Sequence, residues 1–212
     1  MDLDHTARRA AVRERVYHPR EAQLTSSLHS DTESAAVKVS VNAPLEVETR
    51  RLLLRGLSHR DVPVFHEIVG NPEVMVHWHP GPDGDEAATA DRITSINQHW
   101  SEHGFGDWGV EEKASGYLIG FSGFHYIEGM SEVNLGYAFR RSAWRRGFGT
   151  EVCQRVIDIA LNRMGLAEVV AVISPENTAS MWLAEKVGMS YWKRTTWSGQ
   201  PRVVYRIALS AV

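Results

Sequence analysis

The segment Trp144-Arg145-Arg146-Gly147-Phe148-Gly149-Thr150-Glu151 constrains the fold more than any other stretch of the chain. It lies between a run with strand character and a run with helical periodicity. Successive backbone N–H groups in a glycine turn ahead of a helix form a concave, partly positive site that suits a pyrophosphate. The helix dipole adds about half a positive charge at the same point. Gly147 and Gly149 let the backbone approach phosphate oxygens without Cβ interference, and Arg145 and Arg146 add mobile positive charge. The segment is not a dinucleotide fingerprint, because the third glycine is missing and the strands before it read as a meander. It is not a Walker loop either, since no Gly-Lys-Ser/Thr is present. Taken alone, it is equally an ordinary loop before a helix.

The elements around it set the topology. Arg50–Leu57 reads as a strand, and Ser58 with Asp61 opens a helix that Gly70-Asn71-Pro72 stops. His79–Gly84 is a loop, and Asp85–His103 is helical, with Ala88, Ile93, Ile96 and Trp100 near one face. Trp108–Glu112, Tyr117–Tyr126 and Glu132–Phe139 are strands joined by glycine turns, an antiparallel meander. The loop Arg140–Gly149 leads into a helix over Thr150–Met164, whose apolar set Val152, Val156, Ile159 and Ala160 follows helical spacing. A buried strand Glu168–Ile173, a helix Asn177–Val187 and strands Tyr191–Trp197 and Val203–Ala208 complete the chain. The order β-α-α-β-β-β-α-β-α-β-β predicts an α/β (α+β) fold, with a mixed, mostly antiparallel central sheet and helices on both faces.

Composition excludes several classes. A net charge of -3 argues against a general nucleic-acid binder, which needs a basic footprint. A single cysteine, Cys153, excludes an intramolecular disulfide framework and a cysteine-rich metal site. No apolar run is long enough to span a bilayer and no secretory h-region is present, so a soluble cytoplasmic protein is expected. Residues 1–25 are Arg/Ala-rich with the makings of a short helix, and 26–40 read as a Ser/Thr-rich linker. An N-terminal extension over 1–47 and one domain over 48–212 are therefore expected. The extension is read as a neutral tail ahead of a basic contact for a ribosome or other partner.

These segments resemble the GNAT superfamily of N-acetyltransferases. Asn134-Leu135-Gly136-Tyr137-Ala138-Phe139, the loop Arg140–Arg146 and the Gly-x-Gly-Thr-Glu helix start are similar to its motif A. Pro175-Glu176-Asn177-Thr178-Ala179-Ser180, ending in Glu185-Lys186-Val187-Gly188-Met189, resembles its motif B. Asn71-Pro72-Glu73-Val74-Met75 and Trp100…Gly104-Phe105-Gly106-Asp107-Trp108 resemble the RimJ/RimL-like branch, the ribosomal-protein-alanine N-acetyltransferase-like one. The resemblance spans roughly residues 48–209. It implies acetyl-CoA as cosubstrate and no metal. It implies that strand 134–139 splays from strand 168–173, so that the backbone of Tyr137, Ala138 and Phe139 meets the pantetheine arm. Arg145, Arg146, Gly147, Phe148, Gly149 and Thr150 would hold the pyrophosphate, and Asn177 would contact the arm from the next helix. The thioester would face a cleft lined by the meander and the helices of residues 58–103.

The chain departs from the family pattern at two places. Trp144 stands where many members have Gln or Arg. Ala184 stands where many have a Tyr that protonates the leaving thiolate, and Ser180 is the substitute candidate. The resemblance also implies an oxyanion held by a backbone N–H near Tyr137 or Phe139. Glu132 and His125 are the candidate bases: imidazole has a suitable pKa, and burial would have to raise that of the carboxyl. Asn134 occupies a position where relatives often carry Glu.

The expected acceptor is a primary amine, a protein or peptide N-terminal α-amine ahead of a small-molecule amine. The rival from another class is a non-catalytic acyl-CoA-binding regulatory domain, and a ribosome- or nucleic-acid-associated module comes third. No membrane and no direct nucleic-acid partner is expected, and a homodimer is left open. His77-Trp78-His79 reads as a cleft-edge loop rather than a metal site. Of the seven tryptophans, Trp78 and Trp108 are those expected to face substrate. Cys153 reads as buried filler.

Overall fold

The computed structural model describes residues 43–209, so most of the expected N-terminal extension lies outside the described residues. Leu52 and Leu54 are fully buried while Leu53 and Arg55 are not, which is the alternation of a strand with one face in a core. That strand, β2 (Leu52–Arg55), pairs antiparallel with a two-residue strand, β1 (Val47–Glu48), for which the sequence carries no signal. Ala43 and Val47 are buried in the same core, so chain upstream of residue 48 packs with the domain.

Ser58 and Asp61 form a capping box over a short 3-10 turn, His59–Asp61, that runs into helix α1 (Val62–Val69). Helix α2 (Glu86–His103) starts at Asp85, whose carboxylate accepts from the Ala88 N–H, and ends at Gly104 with φ 74°, a left-handed cap that favours glycine. Strands β3 (Asp107–Glu112), β4 (Tyr117–Tyr126) and β5 (Val133–Phe139) form the expected meander. Helix α3 (Phe148–Asp158) begins two residues before the predicted start and continues through a π-helical turn, Ile159–Arg163. Strand β6 (Glu168–Ile173), helix α4 (Thr178–Lys186) and the hairpin of β7 (Ser190–Trp197) and β8 (Gln200–Ala208) follow.

The eight strands form one open sheet in the order β1-β2-β3-β4-β5-β6-β8-β7. Every pairing is antiparallel except β5 with β6, which are joined by a crossover through α3. Along β5, Val133, Leu135 and Phe139 join a core cluster with Val152 and Val156 of α3. Ala138, on the other face, joins a second cluster with Phe65 of α1 and Ile93 of α2. The sheet is thus covered on both faces, as a strand buried on both sides requires.

One polar cluster ties the start of the domain to α3. Glu151, in the first turn of α3, accepts from Thr49 Oγ1 at 2.6 Å, from the Arg51 backbone N–H at 2.8 Å and from Arg51 Nε at 2.7 Å. Arg51 Nη1 also donates to the Arg146 carbonyl at 2.9 Å. Burial pushes the Glu151 carboxyl up, but the hydrogen bonds from Thr49 and Arg51 and the guanidinium charge outweigh it and hold the pKa below the ordinary range. A depressed folded-state pKa contributes stability above the unfolded value, and that stability is lost as pH falls through the folded one. Glu151→Gln is expected to cost about 2 kcal/mol at pH 7, the usual worth of charge-assisted hydrogen bonds. In urea melts, the gap between wild type and variant should close as pH falls below about 4; a gap unchanged at low pH would show that the carboxylate charge contributes nothing.

Candidate active site

The turn before α3 is built by two left-handed residues. Gly147 has φ 80° and Arg145 has φ 57°, a conformation that costs a residue with a Cβ. The turn brings α3 to its first residue with no side chain capping the N-terminus. The first-turn amides are therefore the groups an anion would meet. The buried Phe148 ring is flanked by two guanidinium groups, Arg51 at 4.4 Å and Arg146 at 4.6 Å from its centroid. Arg146 is not mobile charge, since it is paired with Glu112; Arg145 is exposed. A Cβ on Gly149 would come within 3.2 Å of Leu183 Cδ2, so this glycine also permits close packing of α3 on α4. Trp144 has a structural role in place of the more usual polar residue: its Nε1 donates to the Phe139 carbonyl at 2.6 Å and ties the loop to the end of β5.

Strands β5 and β6 pair at one position only, Asn134 with Val170, and part beyond it. The Asn134 side chain spans the opening, its Oδ1 accepting from the Val172 N–H at 2.9 Å. The gap opens into a cleft of about 850 Å³, continuous with solvent and lined along both strand edges by residues that include Gly136, Tyr137, Val172 and Ser174. Across it, the Tyr137 hydroxyl donates to Ser180 Oγ at 2.8 Å. Burial raises the Tyr137 phenol well above its ordinary pKa, so it stays a donor at any physiological pH. Asn177 caps α4, its Oδ1 accepting from the Ser180 N–H at 3.1 Å, and this fixes the serine at the cleft wall. Ala184 and the buried Cys153 also line the cleft, and burial pushes the Cys153 thiol up, away from nucleophilic reactivity.

The two base candidates are placed differently. His125 lines the cleft beside Asn134 on the neighbouring strand. Because Val172 fixes the Asn134 carbonyl oxygen, the amide nitrogen faces His125 Nε2 at 3.0 Å and can only donate to it. The one lone pair of the neutral ring is thereby occupied. The proton sits on Nδ1, which is buried without a hydrogen-bond partner 4.0 Å from an equally unpartnered oxygen of Asp107. Burial raises the Asp107 carboxyl, against the opposing charges of His125 and Arg92. Glu132 is not among the cleft-lining residues; its carboxylate lies 3.4 Å from Lys193 Nζ. Burial pushes its pKa up, but hydrogen bonds from its own backbone, Lys193 and Ser131 with the lysine charge bring it below the ordinary range. The raised carboxyl that a base at this position needs is not found.

His77, Trp78 and His79 all line the cleft. Gly136 makes room for Trp78, since a Cβ there would come within 3.0 Å of the indole and 2.9 Å of the His125 ring. Trp108 does not face substrate. It is fully buried, stacked edge-on against Trp100 at 5.0 Å, with its Nε1 donating to the Pro44 carbonyl. The second cleft tryptophan is Trp197, with Arg202 beside it on the β7–β8 hairpin. Neither is legible as a site residue in the sequence, because the hairpin reaches the cleft only through the inversion that places β8 against β6. Arg51 and Thr49 are missed for a similar reason: they stand about a hundred positions from the loop they brace.

This geometry agrees with likenesses to known proteins. A family model described as an acetyltransferase (GNAT) domain matches residues 51–190. The Bacillus subtilis (strain 168) protein YkkB is 29% identical over 168 residues, covering 78% of this chain and 96% of that protein. The N-acetyltransferase p20 of Bacillus licheniformis is 31% identical over 136 residues, covering 64% of this chain and 76% of that one. Among solved structures, RimL, a ribosomal L7/L12 alpha-N-protein acetyltransferase in complex with coenzyme A, superposes with a TM-score of 0.66 at 16% identity, covering 78% of this chain and 97% of RimL. With the family's domain matched over well more than half its length and the family's fold around a split β5–β6 pair, the chain belongs to the GNAT acetyltransferases.

Proposed function

We propose that the protein moves the acetyl group of acetyl-CoA to an α-amine that arrives largely unprotonated, a protein or peptide N-terminus ahead of a small-molecule amine. The observation that carries this reading is the lack of a free base: no Asp or Glu is among the described residues lining the cleft, and the lone pair of His125 is held by Asn134. An α-amine with a pKa near 7.7–8.0 is about one-tenth neutral at pH 7, whereas a lysine near 10.4 is neutral about once in a few thousand molecules. Only the first can react at a useful rate without a proton acceptor in the protein. The likeness in fold to RimL, whose name describes alpha-N-protein acetylation, supports a chain terminus as acceptor.

Acetyl-CoA supplies an activated thioester, so the task left to the protein is binding, orientation and proton delivery. The first-turn amides of α3, Phe148 to Thr150, with exposed Arg145, receive the pyrophosphate; the edge of β5 at Tyr137, Ala138 and Phe139 receives the pantetheine arm. The Oδ1 of Asn177 is committed to Ser180, so its amide N–H groups are the ones available to that arm. Ser180 protonates the leaving thiolate. Tyr137 donates into Ser180 Oγ, which leaves the serine O–H free to donate onward. In this way the pair supplies what a tyrosine at position 184 would have supplied.

Three measurements test the reading. Ser180→Ala is expected to lower kcat about a hundredfold. Tyr137→Phe should lower it about fivefold, the worth of one neutral hydrogen bond, with the KM for acetyl-CoA unchanged in both. Gly147→Asp places a carboxylate at the anion site and should weaken acetyl-CoA binding, read by calorimetry, by about tenfold or more. The apparent pKa of kcat/KM for the amine should track the acceptor's own pKa across N-terminal peptides of graded basicity; a fixed apparent pKa would mean that a protein base sets it. Tight acetyl-CoA binding with no thiol release from any amine between pH 6 and 9 would favour an acyl-CoA-binding domain without turnover.

A further inference from the structure

The cleft has a charge character of its own. Its walls carry three histidines, His77, His79 and His125, and one arginine, Arg202, with no carboxylate among the described lining residues. Most arginines near the domain's functional elements are matched: Arg51, Arg92, Arg140 and Arg146 each have a carboxylate within ion-pair distance. Arg202 has none among the described residues; its Nη1 donates to the neighbouring Pro201 carbonyl, and its guanidinium lies 5.8 Å from the Trp197 ring. Trp197 in turn meets the His79 ring edge-on at 5.2 Å, so the mouth of the cleft is an aromatic wall with a half-buried guanidinium beside it. The nearby Glu176 is exposed and turned to Ser174. Its carboxyl is held below the ordinary range by the hydrogen bond from Ser174 first, then by one from its own backbone, with smaller contributions from the charges of His77 and Arg202.

Resting on the acetyltransferase reading above, we infer that the acceptor amine carries an anionic group, a carboxylate, which Arg202 receives at the cleft mouth while the amine reaches the thioester. A guanidinium without a carboxylate partner is a preorganised fork for such a group. The same walls discriminate against polyamines and lysine-rich termini, which would bring further positive charge to the Arg202 guanidinium. A free acidic amino acid and a terminus with acidic residues directly after the first present the same chemistry.

Thiol release with matched acceptors, compared at equal concentrations of neutral amine, tests this. The peptide arm uses the C-terminal amides of Ala-Glu-Glu, Ala-Gln-Gln and Ala-Lys-Lys, and the metabolite arm uses aspartate against its diamide and spermidine. The acidic acceptor of at least one arm should exceed its neutral partner in kcat/KM, and the acidic peptide should exceed the lysine peptide by about tenfold, an advantage that shrinks with added salt. Arg202→Glu should raise the KM for the acidic acceptor about tenfold and erase the preference, while the KM for acetyl-CoA stays as in wild type. Arg202→Lys should keep the order. Equal or better turnover of the lysine peptide or spermidine overturns the inference while leaving the acetyltransferase reading intact, as does a preference that survives Arg202→Glu. No thiol release from any acceptor, with acetyl-CoA bound, removes the acetyltransferase reading and this inference with it.

Discussion

The separation of β5 from β6 after a single pairing is the constraint on which the site depends. A buried strand edge without partners is costly, because its N–H and C=O groups are taken from water and given nothing in return. The fold limits that cost by ending the pairing at Asn134 and letting its side-chain amide stand in for one ladder bond, accepting from the Val172 N–H. Beyond this point the edge of β5 is open to the cleft. A carboxylate at position 134 could accept from Val172 but could not donate to His125. The asparagine does both, so the residue that opens the gap also sets the tautomer of the cleft histidine.

The turn before α3 depends on contacts distant in sequence. A turn with Arg145 and Gly147 in the left-handed region is held by what surrounds it: Arg51 bonds the Arg146 carbonyl, Glu151 gathers Thr49 and Arg51, and Trp144 reaches back to β5. The cationic groups near the turn are not interchangeable. Arg51 and Arg146 are engaged with Glu151 and Glu112 and flank Phe148, so they rigidify the turn. Arg145 remains exposed. Preorganisation of this kind limits how much ordering the pyrophosphate proposed to bind here would have to bring about.

Hydroxyls and imidazoles give the cleft a chemistry different from that of a site built around a carboxylate base. Ser180 is oriented twice, by Asn177 at its amide and by Tyr137 at its oxygen. The unpartnered atoms of Asp107 and His125 are buried 4.0 Å apart, and the Asn134 amide occupies the other ring nitrogen of the histidine. Under the proposed reading, these contacts provide for proton delivery to the departing sulfur more completely than for proton removal from the nucleophile.

The sequence by itself determined the order of elements, the meander, the crossover through α3 and the glycine turn ahead of that helix, because these follow from local periodicity, glycine positions and short-range turn chemistry. It also determined Ser180 and Asn177 as neighbours, since a helix cap is a local structure. Only the tertiary structure decided which aromatic residues meet the cleft. Trp108 and Trp197 have similar local contexts, yet one is sealed under Pro44 and the other reaches the cleft mouth, because β8 inserts between β6 and β7. The pairing of Arg51 with Glu151, the capping of His125 by Asn134 and the pull of Lys193 on Glu132 belong to the same category. Each joins residues from different elements, and burial and neighbouring charge, which settle what a titratable group can do, exist only once those elements are packed together.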